Sequence, residues 1–146
     1  MNFELRSPRG PEEFTQYYDL RWRILRAPWQ QARGSERDEW EDEAIHVAAF
    51  VSGKLAGAGR LHKTGDERAQ IRYMAVEESY RGQGIGEAIY NYLESEARKA
   101  DVKCIHVHAR LPVLDFYKQM GFTIIGEGPT LFDSIQHKIM EKKLNH

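Results

Sequence analysis

Arg81-Gly82-Gln83-Gly84-Ile85-Gly86 stands between an apolar run (Ile71, Tyr73, Met74, Ala75, Val76) and an amphipathic segment that begins at Glu87. Three glycines in five residues, where a strand hands over to a helix, let the backbone approach a ligand and turn unbonded amides toward it. The stretch is an anion cradle. Arg81 at its lip adds a permanent charge that can fork onto phosphate oxygens. A nucleotide P-loop would follow its last glycine with Lys and then Ser or Thr, but Glu87 and Ala88 stand there. The dinucleotide fingerprint fails too, because Gly82, Gly84 and Gly86 are spaced GxGxG and not GxGxxG.

Upstream of the cradle, Ile45 to Val51, Lys54 to His62 and Arg68 to Val76 read as three strands, separated by the turns Ser52-Gly53 and Thr64-Gly65-Asp66. The middle strand is built of small residues (Ala56, Gly57, Ala58, Gly59), which invites close approach across its face or a tightly packed sheet. Residues 2 to 6 alternate as a short strand. From Glu12, Phe14, Tyr17, Tyr18, Leu20, Ile24 and Leu25 recur at helical spacing up to the break at Pro28. Between Pro28 and Glu43 lies a knot of six acids in eight residues (Glu36, Asp38, Glu39, Glu41, Asp42, Glu43), read either as a solvated loop or as a rim attracting a cationic amine.

Downstream, Glu87 to Lys99 carries Ile89, Tyr90 and Leu93 on one stripe and reads as a helix whose N-terminus presents the cradle amides. Val102 to Ala109 is a strand. Pro112 opens a short helix carrying Val113, Phe116 and Tyr117 that stops at Gly121. Phe122 to Ile125 and Ile135 to Leu144 are the last strands, joined through Gly126, Gly128 and Pro129. The pattern predicts an α+β domain spanning 1–146, with a mixed, mostly antiparallel sheet of six to seven strands and helices on both faces.

With 21 basic and 22 acidic residues, the formal charge of −1 offers no global attraction for nucleic acid or an anionic membrane. No apolar run approaches the ~18 residues of a membrane span. The single cysteine, Cys104, excludes an internal disulfide framework and fits a reducing cytoplasm. Mid-strand, it reads as a buried small hydrophobe.

Arg81, Gly84 and Gly86 match the Arg/Gln-x-x-Gly-x-Gly/Ala signature of the GNAT superfamily of acyl-coenzyme A-dependent N-acetyltransferases. Phe116-Tyr117-Lys118-Gln119-Met120-Gly121-Phe122 is similar to the family's second hallmark, an aromatic-Tyr pair followed by Gly-Phe. The two lie one helix and one strand apart, in the family's order, and the resemblance covers roughly residues 45 to 142. Within the family, the chain looks most like small bacterial acetyltransferases of unassigned substrate.

The resemblance implies acetyl-CoA as cosubstrate and a small-molecule or peptide amine as acceptor, and the acidic rim biases that amine toward a cationic one. It assigns the coenzyme's pyrophosphate to Arg81, Gly82, Gln83, Gly84, Ile85 and Gly86, and its pantetheine arm to the backbone of Met74, Ala75 and Val76. Tyr117 becomes the general acid for the departing thiolate and a further coenzyme contact, because a phenol with a pKa near ~10 is protonated at neutral pH. The family's usual base positions hold Gln70 and Arg72, neither of which takes a proton at neutral pH. His62 is then the first candidate base, followed by His46, His137 and Glu39, or a water relay serves. Arg110 replaces an Asn common in the family and reads either as a contact to the coenzyme's phosphates or as a solvent-facing cation. His106 and His108 alternate on one strand with no third ligand placed by sequence, so no metal site is assigned. The missing base leaves a rival reading, a non-catalytic acyl-CoA-binding module. Exposed edge strands near the C-terminus suggest a homodimer.

Overall fold

The alternating apolar residues of the three central strands form an antiparallel meander that the rest of the chain extends. In the computed structural model, which describes residues 2–145, the order is β1 (Glu4–Arg6), α1 (Gly10–Leu25), β2 (Ile45–Val51), β3 (Lys54–Lys63), β4 (Arg68–Val76), α2 (Ile85–Lys99), β5 (Cys104–Arg110), α3 (Leu114–Gln119), β6 (Thr123–Leu131) and β7 (Ile135–Lys143). One seven-stranded sheet runs β1-β2-β3-β4-β5-β7-β6. Every neighbouring pair is antiparallel except β4 and β5, whose parallel pairing needs the crossover that α2 supplies.

The two faces carry separate cores. Tyr17, Leu20 and Leu25 of α1 pack on Ala48, Phe50, Ala58, Tyr73 and Ala75. On the other face α2 and α3 bring Ile85, Ile89, Leu93 and Tyr117 onto Val47, Leu61, Ile71, Ile105 and Met140. Gly57 and Gly59 of β3 serve the second face. A Cβ on Gly59 would lie 2.6 Å from Ile89 Cγ2 and 2.8 Å from Met74 Sδ, so α2 sits where any larger residue would stand.

Element boundaries follow local chemistry. The first helix begins at Gly10, ahead of the expected Glu12, because Pro11 fits a first turn whose amides have no helical partner. The sixth strand does not stop at Ile125. It continues to Leu131 through register shifts at Ile124/Gly126 and Glu127/Thr130. As an edge strand it holds Pro129 without interrupting a two-sided ladder.

The feature that positions the site is a bulge in β4. Ala58 pairs with Ala75 and Arg60 with Arg72, so Gly59 opposes both Tyr73 and Met74, and Tyr73 takes a φ of +59°. The extra residue switches parity. Ala69 and Ile71 face α2, whereas Tyr73 and Ala75 face α1.

Candidate active site

Strands β4 and β5 pair only over Arg68–Ile71 and Cys104–Val107. Past the bulge, β4 keeps β3 as its single partner through Ala75 and Val76, while β5 continues against β7 to Arg110. A gap opens between two strands that were neighbours. On its β4 side the backbone of Met74, Ala75 and Val76 has no strand partner, an edge that an extended molecule can pair with.

That edge runs into the glycine cradle. Gly82 and Gly84 hold φ values of +78° and +86°, with nothing within 4 Å of where a Cβ would stand. Gly84 caps α2 in the left-handed region and contributes no side-chain bond. Among the described residues, the amides of Gly82, Gln83, Gly84, Ile85 and Gly86 make no backbone hydrogen bond. The site collects unbonded N–H groups at the positive end of a 15-residue helix. Arg81 donates from Nε to the Val76 carbonyl at 3.0 Å, which ties the lip of the cradle to the end of the free edge. The third helix packs close behind Gly86, where a Cβ would meet Phe116 in ordinary contact at 3.5 Å.

Tyr117 is buried, its ring edge-on to Phe116 and Phe122 at centroid distances of 5.1 and 5.5 Å. Burial pushes its pKa up, so the phenol holds its proton throughout the neutral range. Among the described residues no group hydrogen-bonds its hydroxyl, which is not sealed from solvent. It is a protonated donor with no acceptor of its own.

The lone pair that a base role for His62 requires is occupied. Arg60 Nη2 donates to His62 Nδ1 at 2.9 Å, so in the neutral ring the remaining proton sits on Nε2. Burial, reinforced by the Arg60 charge, lowers its pKa to about 4, and Trp40 stacks on the ring at 5.4 Å. His46 is engaged at both nitrogens, by the Tyr17 hydroxyl at 2.9 Å and the Glu41 carbonyl at 2.8 Å. His137 differs. Its Nδ1 donates to the Pro129 carbonyl at 2.9 Å, which leaves the lone pair on Nε2. Burial, together with the nearby Arg110 charge, lowers its pKa and keeps it neutral.

Neither reading of the acidic knot describes Asp38 or Glu41. Glu41 takes Arg21 in a bidentate pair at 3.0 and 2.8 Å and also accepts from Arg60 at 2.7 Å. Asp38 takes Arg60 at 2.6 and 3.0 Å and Arg72 at 2.9 Å. Against the opposing effect of burial, the Arg60 hydrogen bonds hold the Asp38 carboxyl down at about 2. The knot is a clamp that fixes residues 36–41 over α1 and β3. Glu39, Asp42 and Glu43 alone of the six are exposed.

At the centre of the clamp is Tyr73, in sequence one apolar residue of a strand among several. Its ring centroid lies 3.9 Å from the guanidinium carbon of Arg21, 4.6 Å from that of Arg72, 4.9 Å from Arg60 and 5.5 Å from Arg26. Nothing in the sequence around Arg26 marks it out, since no motif includes it. Arg110 is turned to the α1 face, opposite Val107 and Ala109, where Nη2 donates to the Leu25 carbonyl at 3.1 Å and the guanidinium lies 4.7 Å from the Trp29 ring centroid. The structure therefore brings Met74 to Gly86 and Phe116 together, and carries Arg110 and His62 on the far side of the sheet.

His106 and His108 lie 6.1 Å apart between ring centroids, and no group of three His, Cys, Asp or Glu among the described residues is arranged to hold a metal. Cys104 is buried, and burial raises its pKa. Among the described residues no helix is long and apolar enough to cross a membrane.

Residues 14–122 match the acetyltransferase (GNAT) family. The uncharacterized N-acetyltransferase YjcF of Bacillus subtilis (strain 168) is 30% identical over 107 residues, which is 73% of this chain and 76% of that protein. Among solved structures, an aminoglycoside 6'-N-acetyltransferase complexed with coenzyme A superposes with a TM-score of 0.81 at 21% identity, covering 100% of this chain and 99% of that one. Ard1 from Thermoplasma volcanium superposes with a TM-score of 0.80 at 22% identity, covering 99% of each chain. The two structural likenesses are of fold.

Proposed function

The chain belongs to the acetyltransferase (GNAT) family, an acyl-CoA N-acyltransferase family that uses acetyl-CoA, and on that premise we propose that it transfers acetyl to a primary amine by direct attack in a ternary complex. One observation carries this reading. The unpaired edge of β4 at Met74–Val76 leads, through a single 3-10 turn at Glu78–Tyr80, into the unbonded amides of Gly82–Gly86. An extended pantetheine arm would complete the sheet along that edge, with its pyrophosphate against the amides and Arg81. A backbone N–H beside Met74 or Ala75 would then polarise the thioester carbonyl. That the structurally similar aminoglycoside acetyltransferase is complexed with coenzyme A supports the choice of ligand.

Tyr117 supplies the proton for the departing thiolate, because its hydroxyl is protonated, unengaged and not sealed from solvent. The amine must lose a proton as it attacks. Gln70 and Arg72 cannot take it, and His62 and His46 have both ring nitrogens committed or protonated. Of the three histidines weighed as bases, His137 keeps a lone pair, on Nε2, and we place the base there, directly or through one water.

The test is a thiol-release assay with acetyl-CoA and a panel of primary amines. Turnover with at least one amine, reduced in Tyr117→Phe, supports the transferase. A protein that binds acetyl-CoA and acetylates no amine is instead an acyl-CoA-binding module, the reading that the engaged His62 favours.

A further inference from the structure

The structure matches its most deeply buried arginines with acids, and leaves two neighbouring ones unmatched. Arg21 and Arg60 are fully buried and paired with Glu41 and Asp38. Arg26 is 5% exposed, and Arg110 is half-buried at the end of β5. Both donate to one acceptor, the Leu25 carbonyl, from Arg26 Nη1 at 2.9 Å and Arg110 Nη2 at 3.1 Å. Arg26 Nε also donates to the Ser35 carbonyl at 2.9 Å. Among the described residues, neither guanidinium forms an ion pair with a carboxylate. Two like charges are held together over a single carbonyl oxygen, which is expensive without an anion to complete them.

The electrostatics agree. Burial, reinforced by the Arg26 charge, lowers the pKa of Arg110 to about 10. Burial also lowers that of Arg26, and the Arg72 and Arg21 charges lower it further. Trp29 lies under Arg110 at 4.7 Å, and Phe132 under Arg26 at 5.4 Å, so the two planes are steadied from the sides. The groups that face the pair are the cations Arg72 and Arg21 on the Tyr73 side and the neutral His137 beside Arg110.

The pair also borders the gap. Arg110 ends the β5 side of it and stands opposite His137 on β7, while Arg26 reaches the ring of Tyr73, the residue before the free edge. This is the face opposite the core that holds Tyr117. We propose that Arg26 and Arg110 bind a carboxylate of the acceptor, so that the enzyme acetylates an amine belonging to a carboxylate-bearing molecule, such as an amino acid or a short peptide. The proposal rests on the transferase reading above and narrows its acceptor, reversing the cationic bias that the acidic knot suggested. A carboxylate in the fork of the two guanidiniums orients its amine toward His137 and the thioester.

The experiment titrates the CoA-saturated protein, and separately the free protein, with N-acetylglycine and with its uncharged amide, followed by calorimetry. The carboxylate is expected to bind at least about tenfold more tightly than the amide. Arg110→Gln should lose that preference and Arg110→Lys should restore part of it, with thermal unfolding of each variant as the check on folding. In turnover, Arg110→Gln should raise KM for carboxylate-bearing amines more than it lowers kcat. Equal affinity for acid and amide, no binding of either, or a preference that survives Arg110→Gln overturns the proposal. So does an Arg110→Gln variant whose lost affinity is for acetyl-CoA, because the pair then serves the coenzyme. A wild type that fails to bind acetyl-CoA would instead sink the transferase reading, and the free-protein titration would still decide what the two arginines hold.

Discussion

Arg60 Nη2 donates to His62 Nδ1 across 2.9 Å, and this one hydrogen bond turns the most obvious candidate base into a neutral structural ring. The histidine is held on the far side by the Trp40 stack, and its partner is fixed by Asp38 and Glu41. It stands on the α1 face of the sheet without a lone pair to offer.

The first consequence is a split between two histidine variants in the pH–rate profile. His137→Gln should lower kcat by about 10² or more and remove the acidic limb of kcat/KM. His62→Gln should keep that limb. Initial rates between pH 5 and 9 for both variants decide it, and loss of the limb in His62→Gln alone would return the base to His62.

His62 also makes stability depend on pH. Its folded pKa of about 4 lies below the ordinary value of 6.5, so the unfolded chain takes the proton first as pH falls. Its contribution is intact above pH 6.5 and is lost as pH drops toward 4, by about 2 kcal/mol after allowance for solvent screening. Urea midpoints at pH 7 and pH 4.5 should differ less for His62→Gln than for wild type. Equal differences would show that His62 is not the group responsible.

Glu41 compensates two fully buried guanidiniums at once. Glu41→Ala should cost about 3–5 kcal/mol, because, among the described residues, Arg21 loses its only carboxylate and Arg60 one of two. Glu43→Ala, an exposed neighbour, should stay within about 0.5 kcal/mol of wild type. Denaturant unfolding of the pair checks it, and a mild Glu41→Ala would mean that the clamp is not structural.

Gly59 tests the packing of the crossover helix. Gly59→Ala places a methyl 2.6 Å from Ile89 Cγ2 and should destabilise by about 1–3 kcal/mol. Gly65→Ala meets nothing within 4 Å and should be nearly neutral. A neutral Gly59→Ala would mean that α2 sits farther from β3 than described.

The sequence announces what depends on neighbours in the chain. Gly82, Gly84 and Gly86 at a strand-to-helix junction specify unbonded amides whatever packs elsewhere, and the meander of β2 to β4 follows from apolar alternation and turn residues. What it hides depends on which side chains share a face. The bulge at Tyr73 and Met74 reverses the parity of β4, and no residue there is a glycine that would betray a positive φ. Asp38 and Glu41 look like surface acids until folding places Arg21, Arg60 and Arg72 beneath them. Arg26 and Arg110 are 84 positions apart, and only the fold brings them to one carbonyl. The unpaired β4 edge was accessible only through the family resemblance, because strand separation leaves no local trace.

The central claim is that the free edge of β4 and the glycine cradle form one binding surface for an acyl-coenzyme A. Calorimetric titration of the protein with acetyl-CoA, beside an Arg81→Ala, Gly84→Glu double variant, tests it directly. The account predicts micromolar, one-to-one binding that the double variant abolishes while its circular dichroism spectrum is unchanged. Absence of binding to the wild type, or equal binding by the folded double variant, would contradict it.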